Sequence, residues 1–180
     1  MSDPLKLKQF IRTVNDFPID GIAFRDITSL IETPVAFVKT CDELTSISES
    51  FDATSIASIE SRGFIFAGSI AKDLSLPFIL ARKPGKLPNE TFIKDFDLEY
   101  GSTSIEIQKN TVVNESDRVV IVDDLVATGG TAIACAELLV ENFNVKKKNI
   151  LILAVIDLPD LGGSKLIANQ GYEIETLVSY

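Results

Sequence analysis

Two adjacent acids, Asp123 and Asp124, stand between four apolar residues, Val119 to Val122, and a turn of small ones, Ala127-Thr128-Gly129-Gly130-Thr131. A turn of this kind that opens a helix makes an anion site. The first helical turn presents unpaired N–H groups and a partial positive charge, and glycines let the backbone close around a phosphate. Thr128 and Thr131 add hydroxyl donors. The acids cannot serve the phosphate, because like charges repel there. They suit the acceptance of hydrogen bonds from sugar hydroxyls just before it. A phosphorylated ribose matches that order of acceptors and donors. An ordinary strand-to-helix turn, with acids for solvation and glycines for geometry, is the alternative. A P-loop is excluded, since no Lys follows the glycines at GxxxxGK[ST] spacing, and a Rossmann fingerprint is also absent.

Two further charged clusters need placing, Glu60-Ser61-Arg62-Gly63 and Arg82-Lys83-Pro84-Gly85-Lys86. Short apolar runs predict buried strands over 55–59, 77–81, 119–122, 149–156 and 173–178, with helical spacing between them, as in Phe66, Ala67, Ile70, Ala71 and Leu74. Strands alternating with helices imply an α/β fold with a mainly parallel sheet. Ligands in such sheets collect at the carboxyl ends of the strands. All three clusters fall at such ends, which makes one shared site the strongest inference from spacing alone.

The remaining segments frame that sheet. Asp3-Pro4 reads as a helix start, with Leu7, Phe10, Ile11 and Val14 on one apolar face. Phe17 to Gly21 breaks that helix as a turn. The loop Ile22 to Thr28 mixes an aromatic, a cation and small apolar groups; it could clamp a flat heteroaromatic ring, but composition favours packing on its own core. Thr33-Pro34 starts a second helix whose inner face is Phe37, Cys41, Leu44 and Ser48. Leu87 to Asn110 reads as a polar connector, Pro88 to Asp95, leading into a hairpin-like alternation, a pattern that suits a lid. Glu99 within it is either a solvated residue or an acid over the site, and spacing favours the former. Lys146-Lys147-Lys148 reads as a solvated turn.

Composition sets outer bounds. A chain of 180 residues suits one domain with a substantial core. A net charge of −9 argues against nucleic acid or an anionic membrane as partner, although a local pocket can still be positive. With no His, histidine metal sites and His-based triads are excluded. Cys41 and Cys135 read as buried thiols. No apolar run approaches the length of a membrane span, and the first ten residues lack a signal-peptide core, so the expected location is the cytoplasm.

The continuous match from Val119 to Thr131 resembles the sugar-diphosphate signature of the type I phosphoribosyltransferases. FPIDGIAFRDIT, ESRGF, RKPGKLP and LEYGSTSIEIQK, in that order and spacing, resemble the adenine phosphoribosyltransferase family over nearly the whole chain. Two positions depart from that pattern: Ala23 is smaller than the expected branched residue, and Asp157 stands where Glu is usual.

The resemblance implies transfer of the 5-phosphoribosyl group from 5-phospho-α-D-ribose 1-diphosphate to adenine, giving AMP and diphosphate, with Mg²⁺. It implies that residues 1–32 form a base-side hood, with Ala23, Phe24, Arg25 and Leu158 around adenine, and that residues 84–108 form a flexible lid. It places the diphosphate on Glu60, Ser61, Arg62, Gly63, Arg82, Lys83 and Lys86, with a cis peptide bond between Glu60 and Ser61. Asp123 and Asp124 would take the ribose hydroxyls and, through water, the metal. Ala127, Thr128, Gly129, Gly130 and Thr131 would hold the 5′-phosphate. Arg62, Lys83 and Glu99 would carry the catalysis, in a homodimer. The alternatives are a non-catalytic nucleotide-binding member of the fold and an enzyme for another purine.

Overall fold

The computed structural model describes residues 3, 5–98 and 101–180. After a 3-10 turn at Leu7–Phe10, the chain runs β1 (Arg12–Asn15), β2 (Ala23–Asp26), α1 (Thr28–Ile31), α2 (Pro34–Ser50), β3 (Ser55–Ile59), α3 (Gly63–Leu74) and β4 (Phe78–Ala81). It continues through β5 (Thr91–Leu98), β6 (Gly101–Gln108), β7 (Val119–Val126), α4 (Gly130–Phe143), β8 (Ile150–Asp157), α5 (Gly163–Asn169) and β9 (Glu173–Ser179).

The predicted α/β class holds. Five strands form one wholly parallel sheet in the order β4-β3-β7-β8-β9. Its inner strands β3 and β8 are buried along their whole length because helices cover both faces. Along β7 the side chains alternate: Val119 and Ile121 join a core with Cys135, Leu138 and Leu139 of α4, while Val120 and Val122 join one with Leu44 of α2 and Phe66 of α3. Burying each such side chain contributes roughly 1.5–3 kcal/mol, so these runs drive the sheet. In sheet order β3 and β7 are neighbours, yet β4 leaves β3 on one side and β8 leaves β7 on the other. That reversal between β3 and β7 is a topological switch point, where a crevice opens at the carboxyl ends.

Three expectations change. The N-terminal helix is only the 3-10 turn, which starts at Leu7 with Lys6 at its cap position, although the Asp3 carboxylate accepts from the amides of Leu7 and Lys8. The segment beyond it becomes β1, antiparallel to β2, so the loop expected at Ile22 to Thr28 is half strand. β-Branched Thr13 and Val14 suit a strand better than a helix, and the cis Phe17–Pro18 bond falls in the connecting turn.

The second change concerns β7, which does not stop at Val122. It runs through both acids to Val126, because β8 offers continued pairing to Asp157. The third is the connector, of which Thr91 to Asp95 is β5, paired with β6. This hairpin is seated on α4: Lys94 pairs with Glu137 and Glu141, and Phe92 packs edge-on against Phe143. Both cysteines are free and buried, as expected. Among the described residues no helix is long and apolar enough to cross a membrane.

Candidate active site

A cleft of about 400 Å³ opens at the switch point, a size that suits a small-molecule ligand. It is lined by Glu60, Ser61 and Arg62 from the end of β3, by Arg82 and Lys83 beyond β4, and by Asp123, Asp124 and Thr131 from β7 and α4. The three charged clusters thus meet in one place, as the strand-end argument requires. The hairpin adds Phe96, Thr103, Ser104 and Ile105, and β7 adds Leu125. The alternation of Ile105 and Ile107 with Glu106 and Gln108 pointed to the hairpin, but no residue type marked Thr103 or Ser104 as facing the cleft.

Gly63 and Ser58 explain how closely β3 and β7 approach. Ser58 Oγ, fully buried, donates to the carbonyl of Val122 at 2.7 Å. A Cβ on Gly63 would lie 2.7 Å from that hydroxyl and 2.8 Å from that carbonyl. Only glycine lets α3 begin there. The Glu60–Ser61 peptide just before it is cis, as the resemblance implies.

The acid pair lies on the opposite wall. Asp124 is 5% exposed and its carboxylate meets Arg62 Nη2 at 2.8 Å. Asp123 Oδ1 accepts from the Asp124 amide at 2.8 Å. Burial is the largest influence on both and pushes both carboxyls above their ordinary range; for Asp123 the neighbouring Asp124 charge adds to the push, and Arg62 opposes it. Two carboxylates facing one guanidinium leave the floor of the cleft short of positive charge.

That deficit bears on Mg²⁺. Among the described residues no group of three or more acids, Cys or His could hold a metal. Mg²⁺ needs none: it keeps several waters and binds through one or two carboxylates together with substrate phosphates. The donor set therefore fits a Mg²⁺ ion that arrives with its substrate.

Beyond Asp124 the chain enters the small-residue turn. Gly129 has φ +83°, and α4 begins at Gly130, so the first amides of the helix point out at the turn. The turn is braced from behind by Leu158 to Gly163. Leu158 donates its amide to Val126 and Gly163 donates its own to Ala127, each at 3.0 Å. A Cβ on Gly163 would collide with the Ala127 carbonyl and with the Gly129 amide. Gly163 was not singled out from sequence, and the Gly-Gly step after Leu161 was its only signal.

The base-side residues lie apart from the cleft's lining but reach it. Phe24 on β2 packs edge-on against Phe17, and the Arg62 guanidinium sits over the Phe24 ring at 5.4 Å. Ala23 is exposed and Arg25 half-buried. Arg25 stacks over the ring of Tyr180, 4.1 Å from its centroid, and donates to Thr13. Buried Arg25 Nε, Tyr180 Oη and Asp157 Oδ1 find no hydrogen-bond partner among the described residues. Arg82 is less available than expected: its Nε donates to Glu60 at 2.7 Å and its Nη1 to the Lys86 carbonyl at 3.1 Å. Lys83 and Lys86 are exposed. Glu99 lies outside the described residues.

The phosphoribosyl transferase domain family matches residues 36–160, which span β3 to β8 and with them the three charged clusters and the small-residue turn. The chain is 44% identical to the adenine phosphoribosyltransferase of Pelagibacter ubique, covering 98% of each chain. It is 42% identical to that of Chlorobaculum parvum, again over 98% of each. The crystal structure of the Thermoanaerobacter pseudethanolicus adenine phosphoribosyltransferase superposes with a TM-score of 0.88 at 41% identity, covering 98% of this chain and 99% of that one. The Giardia lamblia enzyme complexed with 9-deazaadenine superposes at 0.90 with 35% identity, over 100% and 98%. On the cleft, the sheet order and these likenesses together, the chain belongs to the adenine phosphoribosyltransferase family.

Proposed function

We propose that the chain joins adenine to the 5-phosphoribosyl group of 5-phospho-α-D-ribose 1-diphosphate, releasing diphosphate and forming AMP. The observation that supports this most is the switch-point cleft, where an αL glycine turn, an acid pair with Asp124 buried, and a cation-lined loop stand side by side. The Giardia relative's complex with an adenine analogue points the base the same way.

In this reading Thr128, Thr131 and the amides of Ala127 to Gly130 hold the 5′-phosphate. Asp123 and Asp124 accept from the ribose hydroxyls. The amides of Ser61 to Gly63, with Arg62 and Lys83, hold the diphosphate as its bond to the anomeric carbon breaks and a ring nitrogen of adenine takes its place. Charge develops on the departing oxygens, and fixed cations there stabilise that change most. Mg²⁺, when bound, supplies further neutralisation of the diphosphate, and the acid pair would hold its waters. Ala23, Phe24, Arg25 and Leu158 flank the base, residues 1–32 acting as hood and residues 84–108 as lid. Glu99 is assigned the proton at the reacting ring.

A spectrophotometric assay of adenine, hypoxanthine and guanine with the sugar diphosphate and Mg²⁺ tests this. AMP formation from adenine, lost on chelation of Mg²⁺, is expected. No turnover of adenine, or preferential turnover of another base, would overturn it.

A further inference from the structure

Glu106, on β6, is 3% exposed and takes no part in the chemistry above. Its carboxylate is fully engaged nevertheless. Oε1 accepts from the amides of Lys86 and Leu87 at 3.2 and 3.3 Å, and Oε2 accepts from the Thr91 hydroxyl at 2.9 Å. Its backbone pairs both ways with Arg82, at 3.0 and 2.7 Å. Arg82 in turn grips Glu60 at 2.7 Å and the Lys86 carbonyl at 3.1 Å. These contacts close a ring running from the loop after β3, through Arg82, to the 82–87 turn and back to β6.

A buried carboxylate is costly unless its oxygens are satisfied, and an ionised one only accepts. Here the donors are the two amides of a tight turn that no strand or helix satisfies. An apolar residue at 106 would leave those amides unpaired and the turn free to swing about Gly85, which has φ +79°. The turn carries Lys83, on the wall of the cleft, and Arg82, which steadies Glu60 beside the Ser61 amide.

We propose that Glu106 is a positioning residue: its buried carboxylate fixes the 82–87 turn, and through Arg82 the Glu60–Gly63 loop, in the geometry that holds the diphosphate of the sugar substrate. The inference rests on the function proposed above. It separates the two substrates by degree: Glu106, Arg82 and the 82–87 turn stand on the diphosphate side, and the loop they steady meets the hood at Arg62, whose guanidinium sits over the Phe24 ring.

Glu106→Ala removes all three acceptor contacts. Each hydrogen bond to a charged group is worth enough that the KM for the sugar diphosphate and the Kd for inorganic diphosphate should rise about tenfold to a hundredfold, with the KM for adenine within a factor of about two. Glu106→Gln keeps an oxygen for the two amides and an NH₂ that the Thr91 hydroxyl can accept, so it should restore most of the diphosphate affinity. Amide hydrogen exchange at Lys86 and Leu87 should speed up in Glu106→Ala and not in Glu106→Gln. If Glu106→Ala does not fold, Thr91→Val tests the same ring by removing one donor, and a severalfold rise in the sugar-diphosphate KM alone is expected. Diphosphate affinity unchanged in a folded Glu106→Ala or in Thr91→Val, or both substrates weakened equally, would overturn the proposal. Wild-type protein that binds diphosphate in this Glu106-dependent way yet does not turn over adenine would sink the functional reading and leave the positioning role standing.

Discussion

At the residue scale the site is governed by how few neighbours each charge has. Arg62 pairs with Asp124, leaving Asp123 beside that carboxylate with no ion pair among the described residues, so replacing both with Asn relieves repulsion between the two acids and should leave the melting temperature at or above that of the wild type. The same replacement removes the acceptors assigned to the ribose hydroxyls. At about 1.5–3 kcal/mol per hydrogen bond to a charged group, kcat/KM should fall by about two to four orders of magnitude. A folded double variant with near wild-type turnover would remove the acid pair from the mechanism. Gly63 works in the opposite sense, through volume. A methyl there meets the Ser58 hydroxyl and the Val122 carbonyl below 3 Å, so Gly63→Ala should cost about 1–3 kcal/mol as an overpacked site, read from urea denaturation. Cys135 supplies a third test. Full burial pushes its thiol up to about 12, so it should resist thiol reagents at neutral pH in the native protein and react only on unfolding.

At the element scale, the hairpin is both lid candidate and structural clamp. β5 packs on α4 through Lys94 and Phe92, so the segment that proteolysis nicks in the free protein should be the exposed stretch at 88–90, beyond the turn that Glu106 holds, rather than Thr91 to Asp95. Cleavage there should slow when the sugar diphosphate and Mg²⁺ are present, and equal cleavage with and without them would count against closure. The sequence made some of these elements plain and hid others for physical reasons. The strand Ser55 to Ile59 was legible to the residue, since a β-branched apolar run between turn signals has one reading. The extension of β7 through Asp123 to Val126 was not, because charged residues in a strand make sense only once β8 is seen beside them. β1 looked helical because Leu7, Phe10, Ile11 and Val14 fall at helical spacing, and only pairing with β2 overrides it. Glu106 was invisible for a like reason: in an alternating strand an acid reads as outward-facing, and its donors lie some twenty residues away.

At the scale of the whole molecule, the sheet order does most of the functional work. The reversal between β3 and β7 brings Arg62, Asp124 and Lys83 to one cleft from widely separated parts of the chain, and this much followed from strand ends alone. Quaternary structure adds the last prediction. The homodimer that the resemblance implies would set the exposed Lys86 of the 82–87 turn near a partner's diphosphate site, while Lys83 stays on the wall of its own cleft; added positive potential there favours an anionic substrate. Against it stands the charge of −9 on each chain, a self-repulsion that salt screens over about 8 Å at physiological ionic strength. The dimer should therefore tighten as ionic strength rises from low to physiological values, and specific activity at limiting protein concentration should rise with it. Sedimentation velocity at assay concentrations, run alongside turnover at each salt, checks both. A fully active monomer across that range would refute the shared site, and each cleft would then have to neutralise its diphosphate with Arg62, Lys83 and the metal of its own chain.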